Sequence, residues 1–241
     1  MYHLNNSRET LVPPAYFKLI AVGSQGDYDR AIADFDRAIK LDPQQADYYY
    51  WRGRSYYQRG DDNQAIANLT RAIELDSQQA DTYYWRGRSY YRQGDYDRAI
   101  ADFSHIIELD LQKADYYYWR GKSCHQKGDH DQAIADFNRA IELNPKQADY
   151  YYWRGKSYQQ KGENDRAITD LTRAIGLDPK QADYSYWRGQ SYLQKGGHDQ
   201  AIADLTRAIG LDPQQSRYFL VRGVTHHDKH NYTAHGHKLR F

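Results

Sequence analysis

A block of 34 residues governs this chain. It is most regular over residues 148–181, ADYYYWRGKSYQQKGENDRAITDLTRAIGLDPKQ, and it starts again at Ala46, Ala80, Ala114 and Ala182. Its tryptophan recurs as Trp51, Trp85, Trp119, Trp153 and Trp187, each 34 residues after the one before. A fixed period of about 20 to 50 residues marks a stacked array rather than a chain wrapped around one centre. Such an array needs only a thin core between neighbours. That suits a mean hydropathy of −1.02 with six phenylalanines and one methionine.

Each block reads as two helices. In the second half Ala167, Leu171 and Ala174 fall at i, i+4 and i+7, with Ile168 and Ile175 in an adjoining row. This predicts an amphipathic helix of about four turns whose apolar stripe is buried. Phe103 and Phe137 take the place of Leu171 in sister blocks. In the first half, about 100° per residue puts Tyr151, Gly155 and Tyr158 on one side with Arg154 beside them, and this side is assigned inward. Asp149, Trp153, Lys156 and Gln160, flanked by Tyr152, form the outward side. The glycine column (Gly53, Gly87, Gly121, Gly155, Gly189) sits where glycine costs a helix about 1 kcal/mol, so a close helix–helix approach is expected there.

Punctuation falls between the helices. Gly60, Gly94, Gly128, Gly162 and Gly196 suit left-handed C-terminal caps. Asp61 with Gln64, and Asp129 with Gln132, have the spacing of a capping box. Pro145, Pro179 and Pro213 mark the turn into the next block, although Ser77 and Leu111 stand in that column elsewhere. An arginine column (Arg52, Arg86, Arg120, Arg154, Arg188) recurs at a fixed offset from Asp102, Asp136, Asp170, Asp204 and Asn68. Half-buried arginine needs such a partner, so one helix-to-helix pair per block is expected.

With these columns assembled, the chain resembles the tetratricopeptide repeat family. The period, the Gly155 and Tyr158 columns, the Gly162 turn, the Ala167–Leu171–Ala174 stripe and the late Pro179 all carry the likeness. It departs at Arg154, where the family has leucine, and at the tryptophan, where the family is variable. The resemblance implies an all-α fold, a right-handed α-solenoid of antiparallel helix pairs with the first helices lining a concave groove. One subgroup of the family grips a C-terminal carboxylate with lysine and asparagine on successive first helices. The matching columns here hold tyrosine, tryptophan and arginine or lysine, so that clamp is missing.

The organisation expected is an N-terminal tail (1–11), a degenerate repeat (12–45), full repeats at 46–79, 80–113, 114–147, 148–181 and 182–215, and an incomplete repeat (216–241). Phe17 and Ile20 are read as sealing the first end. In the last repeat His235 replaces an expected alanine, which leaves the fifth repeat incompletely covered and open to self-association. Residues 1–11 lack a basic start followed by an apolar core, and no run of about 18 apolar residues exists; the expectation is a cytoplasmic protein outside the membrane.

Thirty-three basic and 32 acidic residues give a net charge of +1, which disfavours nucleic acid as a partner. The function expected is a non-enzymatic scaffold that holds an extended or helical protein segment. Its candidate face carries Asp47, Tyr50, Trp51 and Arg54; Asp81, Tyr84, Trp85 and Arg88; Asp115, Tyr118, Trp119 and Lys122; Asp149, Tyr152, Trp153 and Lys156; and Asp183, Tyr186, Trp187 and Gln190. Tyrosine, tryptophan and arginine are the side chains most often found at binding hot spots. The plain alternative is that the rings stack on the next repeat and stiffen the array. A rival function is single-stranded RNA binding through the same aromatic and basic groups, against which five groove aspartates speak.

No catalytic residue, cofactor or metal is assigned. Every glycine has a packing or turn role, and no nucleophile motif is present. Cys124 replaces the Tyr158 column and is read as a buried apolar residue. His226 and His230, spaced i and i+4, have no cysteine or glutamate near them and are not read as a metal site.

Overall fold

The computed structural model describes residues 25–236, with side chains over 26–229. The sealing role read for Phe17 and Ile20 lies outside the described residues, as do the side chains of His230 and His235. Among the described residues there are twelve helices and no strand. They are α1 (Gln25–Leu41), α2 (Ala46–Arg59), α3 (Asp62–Leu75), α4 (Ala80–Gln93), α5 (Tyr96–Leu109), α6 (Ala114–Lys127), α7 (His130–Leu143), α8 (Ala148–Gln160), α9 (Asn164–Leu177), α10 (Ala182–Gln194), α11 (His198–Leu211) and α12 (Ser216–Gly236). Two compact units share them, residues 1–95 and 96–241. In the first unit α2 packs on α1 and α3, and α4 on α3. In the second, α5 to α12 each pack on the helix before and after within the unit. The fold is an all-α solenoid of helix pairs.

Short turns reverse the chain between paired helices, and their chemistry repeats. Gly60, Gly94, Gly128, Gly162 and Gly196 all have positive φ, between 77° and 100°, as expected of left-handed caps. Asp129 accepts a hydrogen bond from the Gln132 amide at 3.1 Å, completing the acid's half of the expected cap. Asp61 makes no such bond; its carboxylate is held by the Arg59 guanidinium instead. Between repeats the side chains of Asp42, Asp76, Asp110, Asn144, Asp178 and Asp212 each accept from the amide two residues on, at 2.9 to 3.4 Å. This turn needs no proline, which explains why Ser77 and Leu111 stand where Pro145 and Pro179 do.

The core is thin and repetitive. Ala65, Leu69 and Ala72; Ala99, Phe103 and Ile106; Ala133, Phe137 and Ala140; Ala167, Leu171 and Ala174; and Ala201, Leu205 and Ala208 are fully buried or nearly so. The glycine column lies against them. A Cβ on Gly121 would stand 2.9 Å from the Phe137 ring, and one on Gly53 2.8 Å from Leu69 Cγ, distances that carbon atoms do not tolerate.

Arg52, Arg120, Arg154 and Arg188 each tie three helices together. Arg120 donates to both Asp136 oxygens (2.9 and 2.6 Å) and to Ser104 Oγ (3.2 Å). Arg154 does the same with Asp170 (2.7 and 2.7 Å) and Asn138 (2.7 Å), and Arg188 with Asp204 (2.8 and 2.6 Å) and Thr172 (3.0 Å). In the first unit Arg52 reaches Asn68 (2.7 Å) and Asp36 (2.5 Å). At these arginines the expected pair is thus a three-way link, to the second helix 16 residues after the arginine and to the one 16 residues before. Burial pushes the carboxyls of Asp136 and Asp170 upward, against the pull of their arginines.

A candidate partner-binding face on the first helices

Within each unit the acid, tyrosine, tryptophan and cation columns lie together on the first helices, but they are less open than a single helix suggests. Tyr50, Tyr152 and Tyr186, expected to face outward, are buried. The reason is that a first helix in a stack meets another first helix on its flank. Tyr118 meets Tyr150 with ring centroids 5.1 Å apart, Tyr152 meets Tyr184 at 5.0 Å and Tyr186 meets Tyr218 at 5.0 Å. Tilted pairs at this distance suit the ring quadrupoles. Burial raises the phenol pKa of Tyr50, Tyr152 and Tyr184, and pushes that of Tyr218 up to about 12, so these rings stay neutral.

The acid column closes the same seam. Asp115 accepts from the Tyr150 hydroxyl at 2.9 Å and Asp149 from Tyr184 at 2.7 Å. Asp183 accepts from Tyr218 at 2.6 Å and from Arg217 at 2.5 Å, and Asp47 from Gln79 at 3.2 Å. In each case one oxygen, Oδ1, takes the bond. Asp81 and Asp115 are exposed, and Asp47, Asp149 and Asp183 half-buried.

Tryptophans and cations alternate. Lys122 Nζ lies 4.2 Å from the Trp119 ring centroid and 4.8 Å from that of Trp153. Lys156 repeats this between Trp153 (4.2 Å) and Trp187 (4.6 Å), and Arg54 between Trp51 (5.2 Å) and Trp85 (4.9 Å). Each such contact is favourable by about 0.5 to 2 kcal/mol. Burial among the rings lowers the Lys156 pKa, while Asp183 opposes the shift. Trp51 is buried; Trp85, Trp119, Trp153 and Trp187 are half-buried. Trp153 also packs on two core clusters, one around Phe137 and one around Leu171.

Three features escaped the sequence reading. Ser55, Ser89, Ser123, Ser157 and Ser191 are fully buried, and each hydroxyl donates to the carbonyl of the tryptophan four residues earlier at 2.9 to 3.1 Å. Their invariance through five blocks was the available signal. Basic residues ending the first helices pair with acids 30 residues earlier: Arg59 with Asp29, Arg92 with Asp62, Lys127 with Asp97, Lys161 with Asp131 and Lys195 with Asp165. His125 is buried, its Nδ1 2.9 Å from Ser157 Oγ and its ring edge-on to Trp153 at 5.4 Å. Cys124 is buried as expected, and burial pushes its thiol up to about 12, which keeps it protonated. Among the described residues no group of three or more His, Cys, Asp and Glu is placed to hold a metal, and no helix is long and apolar enough to cross a membrane.

Comparison with known proteins agrees with this architecture. The TPR repeat family matches residues 24–58, 53–94, 87–128 and 121–162, and the tetratricopeptide repeat matches 152–233. The chain belongs to the tetratricopeptide repeat family. Among solved structures of tetratricopeptide repeat proteins, it is similar to YrrB, described as a TPR protein with an unusual peptide-binding site, at 24% identity and TM-score 0.65, over 78% of this chain and 97% of that one. It is also similar to MamA, at 28% identity and TM-score 0.63 over 69% and 97%. Identity to TTC0263, a thermophilic TPR protein of Thermus thermophilus, is 20%, with TM-score 0.58 over 75% and 98%. No curated protein matches the chain significantly in sequence.

Proposed function

We propose that this tetratricopeptide repeat chain is a non-enzymatic scaffold that holds an extended or helical protein segment against its first helices. The observation that carries the reading is the recurrence, at Trp119, Trp153 and Trp187, of a half-buried indole four residues after an aspartate that spends one oxygen on its neighbour. An indole edge and a remaining carboxylate oxygen offer a partner apolar contact and an acceptor at each step. The lysines and Arg54 are stacked between rings rather than presented, which favours a segment bearing basic side chains over RNA. YrrB, of the same fold, is described as binding peptide, and its manner of binding is not carried over.

The test uses immobilised peptide panels of basic, neutral and acidic composition. Basic peptides should be retained, and the double variant Asp115→Asn, Asp149→Asn should lose them. Asparagine keeps the hydrogen bonds from Tyr150 and Tyr184 and removes only charge, so thermal stability should hold. Retention that is indifferent to the two substitutions, or to peptide charge, sinks the reading.

A further inference from the structure

In the repeats at 114–147, 148–181 and 182–215 one device joins the two helices. The first helix supplies an arginine and then a glycine; the second supplies an acid, a phenylalanine or leucine, and two alanines. Arg120 and Gly121 with Asp136, Phe137, Ala133 and Ala140 are one instance, Arg188 and Gly189 with Asp204, Leu205, Ala201 and Ala208 another.

The last helix, α12, carries half of this device. Arg222 and Gly223 occupy the columns of Arg188 and Gly189. Arg222 donates to Thr206 Oγ1 at 3.1 Å, which is the backward arm of the link. A Cβ on Gly223 would meet nothing within 4 Å. Beside that notch Phe219, Leu220 and Val224 are 44, 67 and 51% exposed. The chain's own sequence supplies only part of the missing half: Leu239 stands in the column of Leu205, but Lys238 stands in the acid column and His235 in an alanine column.

The first described helix, α1, carries the complementary half. Asp34, Phe35, Ala31 and Ala38 occupy the columns of Asp136, Phe137, Ala133 and Ala140. The Asp34 side chain is 72% exposed, with Arg37 of its own helix at 3.6 Å, whereas those of Asp136, Asp170 and Asp204 are 3 to 7% exposed. Ala31, Phe35 and Ala38 are half-buried where their counterparts are sealed. The sequence ahead of α1 has Leu19 in the glycine column and Lys18 in the arginine column. At Gly53 the same column is so tight that even one added carbon lies 2.8 Å from Leu69.

We infer that α12 of one copy receives α1 of a second copy, Arg222 pairing with Asp34 and Gly223 admitting Phe35, so that the protein assembles head to tail. The reading is independent of the peptide proposal. The two surfaces differ, so the contact is heterologous and an open assembly still offers a free half at each end. Growth past two copies follows, into open chains or rings.

Light scattering coupled to size exclusion tests this without any ligand, over a range of protein concentrations. Mass should rise with concentration beyond two times 28.4 kDa. Gly223→Leu, which fills open space in the single chain, should leave the helical circular dichroism intact and abolish growth. Arg222→Asp and Asp34→Arg should each weaken association at least about tenfold, and mixing the two variants should restore it, with the copies alternating. A mass fixed at one copy, a ceiling at two, growth that survives Gly223→Leu, or no rescue on mixing overturns the inference. Because the readout needs no peptide, its failure would leave the binding proposal standing.

Discussion

His125 shows how one column can alter the chemistry of a joint. Tyr57, Tyr91, Gln159 and Leu193 stand in its column, and none of them is a base near neutral pH. Burial lowers the His125 pKa to about 3, with Lys156 and His130 adding repulsion, so the ring is neutral in the fold. In the unfolded chain it titrates near 6.5. Stability from this residue is therefore complete above that value and is lost as pH falls toward 3, by about 1.4 kcal/mol per pH unit. Urea midpoints measured from pH 7 to pH 5 should fall in the wild type and flatten in His125→Gln. The glycines give a second contrast. Gly121→Ala should destabilise by about 1 to 3 kcal/mol, because its Cβ meets the Phe137 ring and the clash outweighs alanine's helix preference. Gly223→Ala, with open space around it, should stabilise by up to about 1 kcal/mol. Paired thermal melts decide both.

Between elements, the arginine link carries the most charge into the least water. Removing one partner strands the other, so Asp170→Ala should cost about 3 to 5 kcal/mol, while Arg154→Met with Asp170→Leu should cost much less than the two single changes added. A double-mutant cycle in urea measures it, and additive losses would contradict the three-way link. The forward arm of this link was legible in the sequence because arginine and aspartate kept a constant offset of 16 residues; the backward arm was not, its partner changing from Ser104 to Asn138 to Thr172. The left-handed caps were legible for the same reason, glycine being nearly obligatory at that backbone conformation. The burial of Tyr50, Tyr152 and Tyr186 was not. A helical wheel divides one helix into inside and outside, whereas a helix in a stack has neighbours on its flanks, and only a narrow strip is left to solvent. Asp61 failed as a cap because Arg59, two residues away, competes for the same carboxylate, and local periodicity does not register that competition. The binding face was legible as a set of columns, but how much of each column the next repeat consumes depends on the stacking distance.

At the level of the whole chain, stability is a sum of neighbour terms. Helices with neighbours on both sides should open last and those at the described ends first. Hydrogen exchange should find the strongest protection in α6 to α10 and the weakest in α1, whose Ala31, Phe35 and Ala38 are only half-buried, and α12, where Phe219, Leu220 and Val224 are exposed. Uniform protection would argue against nearest-neighbour behaviour. The arginine link has a further consequence. From Arg120 to Arg188 each joint pairs an arginine with the aspartate 16 residues ahead and a small polar side chain 16 residues back, so excising or inserting one complete 34-residue block there rejoins halves of the same kind. Such a gene can lengthen or shorten by recombination in whole steps, and each product inherits working seams without needing a single compensating mutation.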